Sequence, residues 1–241
     1  MWLLAKLLAD FIIDLTIYRS VIIIFLAFFI QNCFALQQNT KQWLGFSTQQ
    51  SFGRNNQWRS FIFSQLRFID QSHLWQAVLL ESGLGYKLAA DKSMWLGYRW
   101  TGRDPYNGFF YENRLFQQLI WDKKLTPFSL FVFRSRLEEI TRSRTNSVSL
   151  RFRQRFAVEI RHALFENAFP FLYDEVFFQL NHPSYETQSF IAENRLFLGF
   201  NLFFTKKTWW EIGYINQYQI KTPQQTQNQM SHILSCTYNF N

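Results

Sequence analysis

Beyond residue 35 the chain has no apolar run long enough for a membrane-spanning helix, yet its apolar residues alternate with polar ones in segment after segment. Successive side chains of a strand point to opposite sides, so this period of two describes strands whose two faces meet different surroundings. From Val148 to Ile160 one parity reads Val148, Leu150, Phe152, Gln154, Phe156, Val158 and Ile160; the other reads Ser149, Arg151, Arg153, Arg155, Ala157 and Glu159. A helix would scatter those three arginines around its circumference, whereas a strand puts them on one face. The pattern recurs over 190–204, where Glu193, Arg195, Gly199 and Asn201 oppose Leu196, Leu198, Phe200 and Leu202. It recurs again over 209–220, where Glu211, Gly213 and Gln217 oppose Ile212, Tyr214 and Tyr218.

Alternation and turn chemistry together predict strands over 43–53, 57–69, 74–89, 93–103, 108–122, 127–142, 146–160, 168–181, 187–204, 208–220 and 229–240. Gly, Pro, Asn, Asp and Lys punctuate the intervals, with Pro105, Pro183 and Pro223 among them. Many of these segments exceed ten residues, longer than the usual five or six of soluble sheets and enough for a tilted strand to cross a bilayer, which takes about 9 to 11. Bacterial single-chain outer-membrane barrels carry an even number of strands, so the eleven segments imply ten or twelve, with one split or merged. The expected fold is all-β: an antiparallel transmembrane β-barrel of 10 to 12 strands over residues 36–241, preceded by a signal peptide over residues 1–35.

Alternation alone does not say which face is inside, so the kind of polar residue decides. Within the strands the polar parity is dominated by Arg, Glu, Gln and Asn, while lysine is largely confined to turns and leader. A soluble exterior favours mixed Lys and Glu; the planar guanidinium suits fixed, enclosed ion pairs. The polar face therefore reads as a lumen and the apolar face as a lipid-facing wall, as backbone and side-chain solvation in a bilayer require. Candidate lumen residues are Arg99, Glu112, Arg114, Arg134, Arg136, Glu138, Arg151, Arg153, Arg155, Glu159, Glu175, Glu193, Arg195 and Glu211. Their signs alternate as a cross-strand ion-pair ladder requires. Two roles fit them: structural pairs that hold the barrel, or a basic constriction that passes or binds small anions.

The one long apolar stretch is N-terminal. Lys6 and Arg19 precede an uninterrupted run from Val21 to Ile30, and small residues follow, which describes a secretory signal peptide cleaved after Ala35. Asp10 and Asp14 are atypical of such a leader, so a paired anchor over residues 2–30, or a start further downstream, is a second reading; lipidation of Cys33 is a third. After cleavage Cys236 is the only cysteine, so no internal disulfide is expected. The full chain of 241 residues carries 25 Lys and Arg against 17 Asp and Glu, a formal +8, and a fifth of its residues are aromatic. That composition excludes disordered and collagen-like chains.

Trp43, Trp58, Trp75, Trp95, Trp100, Trp121, Trp209 and Trp210 fall near predicted strand ends, as interfacial aromatic girdles do. At the C-terminus Leu234, Cys236, Tyr238 and Phe240 alternate with Ser235, Thr237, Asn239 and Asn241, so that Tyr238 and Phe240 resemble the terminal insertion signal read by the barrel-assembly machinery, with Phe240 penultimate rather than last. Gly83-Leu84-Gly85-Tyr86, Trp95-Leu96-Gly97-Tyr98, Glu112-Asn113-Arg114, Arg134-Ser135-Arg136-Leu137-Glu138, Arg151-Phe152-Arg153, Tyr173-Asp174-Glu175, Asn194-Arg195 and Gly213-Tyr214 follow one another in an order that resembles an uncharacterised family of Gram-negative proteins, a domain of unknown function expected to form an outer-membrane β-barrel. The resemblance runs from about Trp43 through most of the chain; it implies location and architecture and brings no known reaction. Glu-Asn-Arg-Leu-Phe occurs twice, at 112–116 and 193–197, which hints at duplicated hairpins.

Catalytic signals are weak. No Gly-x-Ser-x-Gly, phosphate loop or His-x-x-x-His pair is present. His182 with Ser184, His162 with Glu166, Glu138 with Glu139, and Glu112 with Glu193 are the available pairings, each better read as loop or lumen chemistry. No cofactor, metal or nucleic-acid partner is expected, since Phe152 and Phe156 lie on the face opposite the arginines. Outer-membrane lipid and a small anionic solute are the expected partners. A barrel enzyme acting on lipid or envelope substrates, and a soluble periplasmic lipocalin-like barrel, remain the alternatives; the latter requires an apolar interior with the arginines outside.

Overall fold

A computed structural model describes residues 37–69, 75–103, 108–161, 167–223 and 225–241. The predicted leader with Cys33 and Ala35, the turn at 70–72, His73, Asp104, Pro105, His162 and Glu166 lie outside the described residues. The strands are β1 (Gln37–Phe52), β2 (Trp58–Ile69), β3 (Trp75–Lys87), β4 (Lys92–Arg103), β5 (Phe110–Thr126), β6 (Ser129–Arg142), β7 (Val148–Ile160), β8 (Ala168–Gln179), β9 (Ile191–Phe203), β10 (Thr208–Gln219) and β11 (Gln229–Phe240). Each pairs antiparallel with the next in sequence, and β1 closes the barrel against β11.

The count of eleven lies within the expected range but is odd, which overturns the even count. An up-and-down barrel with an odd number of strands has its first and last strands running the same way, so the seam must be parallel, and β1 pairs with β11 in that sense from Gln37↔Gln229 to Thr48↔Phe240. From Lys41 onward both edges of β1 are occupied, by β11 and by β2. The pairing with β11 reaches back to Gln37, which is why the polar segment Gln37 to Gln42, of little strand propensity, is drawn into β1 ahead of the predicted start at Trp43.

The alternation resolves into an inner and an outer surface. Outward residues include Leu44, Ile62, Leu80, Leu96, Leu115, Leu198, Phe200 and Leu234, all exposed. Inward residues of the same strands are Trp43, Gln65, Glu81, Arg99, Glu112, Phe197 and Ile233, all buried. Aromatics thus lie on both surfaces rather than on the outer one alone. Trp43 and Trp95 are 4% exposed inside the barrel, a correction to their placement in an interfacial girdle. The inward parity of β1 and β4 carries them, and each stacks with lumen side chains: Arg67 over Trp43, Phe61 against Trp95.

Space for inward rings comes from glycine. Phe116 lies over Gly97 on the adjacent strand, and Phe197 over Gly213; a Cβ at either glycine would come within 2.2 or 2.5 Å of the ring. These two phenylalanines end the duplicated Glu-Asn-Arg-Leu-Phe segments, which occupy equivalent positions in β5 and β9, with Glu, Arg and Phe inward and Asn outward. One rim of the barrel carries the short connections, 88–91, 127–128 and 204–207; the other carries the longer ones at 180–190 and 220–228. The 180–190 connection folds inward, with Tyr185 6% and Thr187 2% exposed, which delays the start of β9 from the predicted 187 to Ile191.

Leu44 and Cys236 are direct partners across the parallel seam and both face outward. In a chain carrying Cys33→Ser, Leu44→Cys is expected to cross-link to Cys236 under mild oxidation, since adjacent strand positions meet the Cα spacing of about 4.4–6.8 Å that a disulfide needs. Gln42→Cys, one pleat along, should not. Non-reducing gel mobility of the two variants checks the seam and its register.

Candidate functional site

Twelve ion pairs on β3 to β8 gather around four buried carboxylates. Glu138, 1% exposed, accepts from Arg151 (2.7 Å) and Arg153 (2.6 Å), with Arg136 and Arg114 at 3.7 and 3.8 Å. Glu175, fully buried, accepts from Arg134 (2.5 Å), Arg153 (3.0 Å) and Arg155 (3.1 Å). Glu112 serves Arg114 (2.6 Å), Arg142 (2.7 Å) and Arg103 (3.6 Å). Glu81 binds Arg99 and, at 2.9 Å, Arg136, whose Nε donates to Gln118 Oε1 (2.7 Å). Because Arg153 bridges Glu138 to Glu175 and Arg136 links Glu81 to Glu138, the groups form one lattice.

The lattice is in part the ladder of opposite charges that the sequence predicts: Glu81 faces Arg99, Glu112 faces Arg142, Glu138 faces Arg151 and Glu175 faces Arg155 across neighbouring strands. Other directly opposed partners are alike in sign, Arg99 with Arg114, Arg134 with Arg155 and Arg136 with Arg153. Like charges face each other because the arginine side chain is long enough to bypass its neighbour and reach a carboxylate further round the wall: Arg134 on β6 reaches Glu175 on β8, and Arg136 reaches Glu81 on β3. Aromatic rings take the guanidinium faces. Arg136 lies 4.0 Å from the Phe116 centroid, Arg155 4.0 Å from Tyr173, and both Arg153 and Arg195 4.6 Å from Phe177. Such contacts contribute about 0.5–2 kcal/mol each, more where water is excluded.

The other predicted lumen residues lie outside this lattice. Glu193 binds Arg195 and accepts from Gln217 Nε2 (2.6 Å) and Gln219 Nε2 (3.1 Å), which takes both its oxygens. Glu159 binds Arg161 and Asn201 near the short-turn rim. Glu211 faces the lumen, but no ion pair to it forms among the described residues, which corrects its assignment as a pairing group. It sits on β10 in the same inward parity as Gly213 and Ile215, while Arg134 and Arg155, which line the same cavity, are engaged by Glu175. Tyr238 packs against Phe46 and Trp210 on the outer wall, and Phe240 is 41% exposed at the end of β11. His182 Nδ1 lies 3.1 Å from the Thr187 carbonyl oxygen. Glu139 points outward, away from Glu138.

Several residues escaped the sequence reading. Glu81 is a hub, yet its parity in β3 is otherwise Ala77, Leu79 and Gly83, so alternation hid it. Lys41 and Arg67 lie inside near the long-connection rim. On the outer wall Asn194 donates to Asp174 (2.7 Å), and Tyr214 OH lies 2.5 Å from His232 Nδ1. The signal for Asp174 was its place in the apolar parity Leu172, Val176, Phe178.

Two cavities flank the lattice. One, of about 260 Å³, opens toward the long-connection rim between Lys41, Arg67, Arg103, Glu112, Glu193 and Tyr185. The other, of about 330 Å³, lies toward the short-turn rim, lined by Ser47, Gln49, Phe63, Gln118, Glu211 and Thr237.

Removing one member of a buried pair leaves its partner charged and enclosed, at about 3–5 kcal/mol. Glu138→Gln and Glu175→Gln are each expected to lower stability by about that amount, and Glu211→Gln to change it by less than about 1 kcal/mol. Guanidinium unfolding of the purified barrel, followed by tryptophan fluorescence, checks the difference.

Comparison with known proteins adds the following. No curated protein matches the chain. A solved structure similar to it is the siderophore receptor PirA from Pseudomonas aeruginosa, at 16% identity and a TM-score of 0.28, covering 72% of this chain and 36% of that one, so that the chain spans about a third of the receptor. A family described as a protein of unknown function, DUF2490, matches residues 40–229, from the first turn of pairing in β1 to the first residue of β11. The chain that closes this charged lumen belongs to that family.

Proposed function

We propose that the chain is an integral β-barrel of the Gram-negative outer membrane, non-enzymatic, whose lumen is closed to free flow by its own arginine–glutamate lattice and acts as a narrow receptacle for small anionic solutes. The observation that carries this reading is the sidedness of the wall: large apolar side chains are exposed outward on strand after strand while charged groups are enclosed. An aqueous exterior penalises exposed apolar patches beyond a few hundred Å²; a bilayer requires them. Strands of 12 residues or more run about 40 Å, or about 30 Å of height at the tilt usual in barrels, which matches a hydrocarbon core. The lipocalin-like alternative needs the opposite polarity. A signal peptide over residues 1–35 and recognition of Tyr238 and Phe240 by the assembly machinery complete the proposal.

A narrow anion channel is the second reading, favoured by one observation: the two cavities share Trp43, Arg67, Leu79, Arg99, Arg153 and Arg195 in their walls, so only a thin layer separates them. Planar-bilayer recording decides between the two. The closed barrel is expected to show no steady conductance; an anion-selective conductance that changes with Arg153→Ala or Arg155→Ala would establish the channel instead.

Location is tested by fractionation, with the protein expected in the outer-membrane fraction and released by detergent alone; release by salt or alkali would reject it. Leu198, 62% exposed on the outer wall, gives a quantitative check. Leu198→Arg should cost about 2–4 kcal/mol in lipid, where an arginine meets hydrocarbon, as read by unfolding in vesicles.

A further inference from the structure

Among the described residues, every lattice arginine has a carboxylate, but two buried cations at the long-connection end of the lumen have none. Lys41 is 7% and Arg67 8% exposed, and both line the 260 Å³ cavity. Arg67 donates from Nε to Gln65 Oε1 (2.8 Å) and stacks 3.8 Å over Trp43; neither contact neutralises it. Register places Trp43 opposite Arg67 and Lys41 opposite Ile69, so the two cations are diagonal neighbours on β1 and β2, at backbone separations of about 7–8 Å. The nearby acid on the opposite wall, Glu193, has both oxygens occupied by Arg195, Gln217 and Gln219. Glu112 is surrounded by three arginines.

An enclosed charge without a counter-charge is among the costliest features a protein can keep. Here the surrounding polar groups carry the same message. Trp43, Thr101 and Arg103 are among the residues around the cavity, and their Nε1, Oγ1 and Nε atoms are buried and lack any hydrogen-bond partner. Two of these three can only donate, and the hydroxyl can donate as well as accept. Such a cavity offers hydrogen-bond donors and positive charge and asks for acceptors and negative charge.

We infer that this cavity is a binding site for a small oxyanion carrying two negative charges, of the phosphate-ester or short dicarboxylate kind, held between Lys41 and Arg67. The volume suits a solute of a few heavy atoms beyond the anionic group, below the range of drug-sized ligands. The site lies within the lumen, walled from the exterior by the paired strands β1 and β2, so a free solute fits it better than the headgroup of a bilayer lipid. The inference deepens the receptacle reading and stands independently of where the barrel resides.

The test is calorimetric titration of the purified full chain in neutral detergent at low ionic strength, using inorganic phosphate, glycerol 3-phosphate and succinate in turn, with glucose as the neutral control and dihexanoyl phosphatidic acid as the lipid arm. Saturable one-to-one binding of at least one free anion, absent for glucose, is expected. Lys41→Met with Arg67→Met should weaken it by about tenfold or more. Ser47→Ala in the opposite cavity should leave it unchanged. Heat-modified gel mobility reports whether the double variant has folded; if it has not, Lys41→Met alone serves, with a loss of about threefold or more expected. Binding of the phosphatidic acid alone would overturn the free-solute assignment. No binding of any anion by folded barrel, or binding unaltered in the variants, would overturn the site, and neither result bears on the fractionation and conductance outcomes that test the barrel's location and closure.

Discussion

Nine guanidinium groups share four carboxylates in a space that eleven strands close off from bulk water, and the orientation of the strands that carry them, β3 to β8, follows from enclosing them. A slip of one residue in any of these would turn its charged parity outward and its apolar parity inward. For β7 alone that would strand Arg151, Arg153 and Arg155 away from Glu138 and Glu175. The lattice therefore selects register. Its net contribution to stability is a different matter, because desolvation of so many ions offsets much of their attraction. The hydrogen-bonded ring of strands supplies the closure, and the charges determine which of two alternating faces that closure encloses.

Arginine rather than lysine makes the lattice workable. One guanidinium presents donors in a plane to more than one acid, as Arg153 does to Glu138 and Glu175, while its faces remain free to lie on aromatic rings. Phe116, Phe177 and Tyr173 fill the spaces between arginines that a purely polar lumen would leave to water. The opposite sector of the lumen, with Trp43, Phe197, Ile215 and Ile233, is packed as an ordinary apolar core. The interior is thus composite: the ionic lattice lies on β3 to β8, and the apolar cluster draws on β9, β10, β11 and β1 together with Ala157 and Tyr173.

Strand parity is a local property, and what depended on it was legible from the sequence. The arginines of β7, the Glu-Asn-Arg pattern of β5 and β9, and the outward leucines follow from counting in twos, and the strand boundaries follow from turn residues. What depended on the closed ring was hidden. The parallel pairing of β1 with β11 joins residues nearly two hundred positions apart, and among the described residues only that pairing makes a strand of Gln37 to Thr40. The facing of Arg134 with Arg155 is set by β6–β7 register, and its relief by Glu175 requires a third strand. Trp43 and Trp95 carry the same residue type as Trp58 and Trp75, which are exposed at strand starts; only the parity of their own strands, too weakly alternating to read, separates them. Glu81 was masked by its apolar inward neighbours for the same reason.

The uneven placement of acids gives the lumen its direction. Between β3 and β8 each carboxylate is met by arginines from a neighbouring strand, and Glu81 and Glu175 also by one from further round the wall. At β1 and β2 that supply stops: Arg67 faces Trp43 and Ala77, and Lys41 faces Ile69 and Ile233, instead of acids. These strands adjoin the parallel seam, where β11 contributes Ser231, Ile233, Ser235 and Thr237 to the inner face and no charge at all. Charge that is balanced by a fixed acid is structural, since its partner is part of the fold. Charge left without a fixed partner beside a cavity that opens to one rim is available for balance from outside the fold, by counterions or by a ligand that brings its own acceptors.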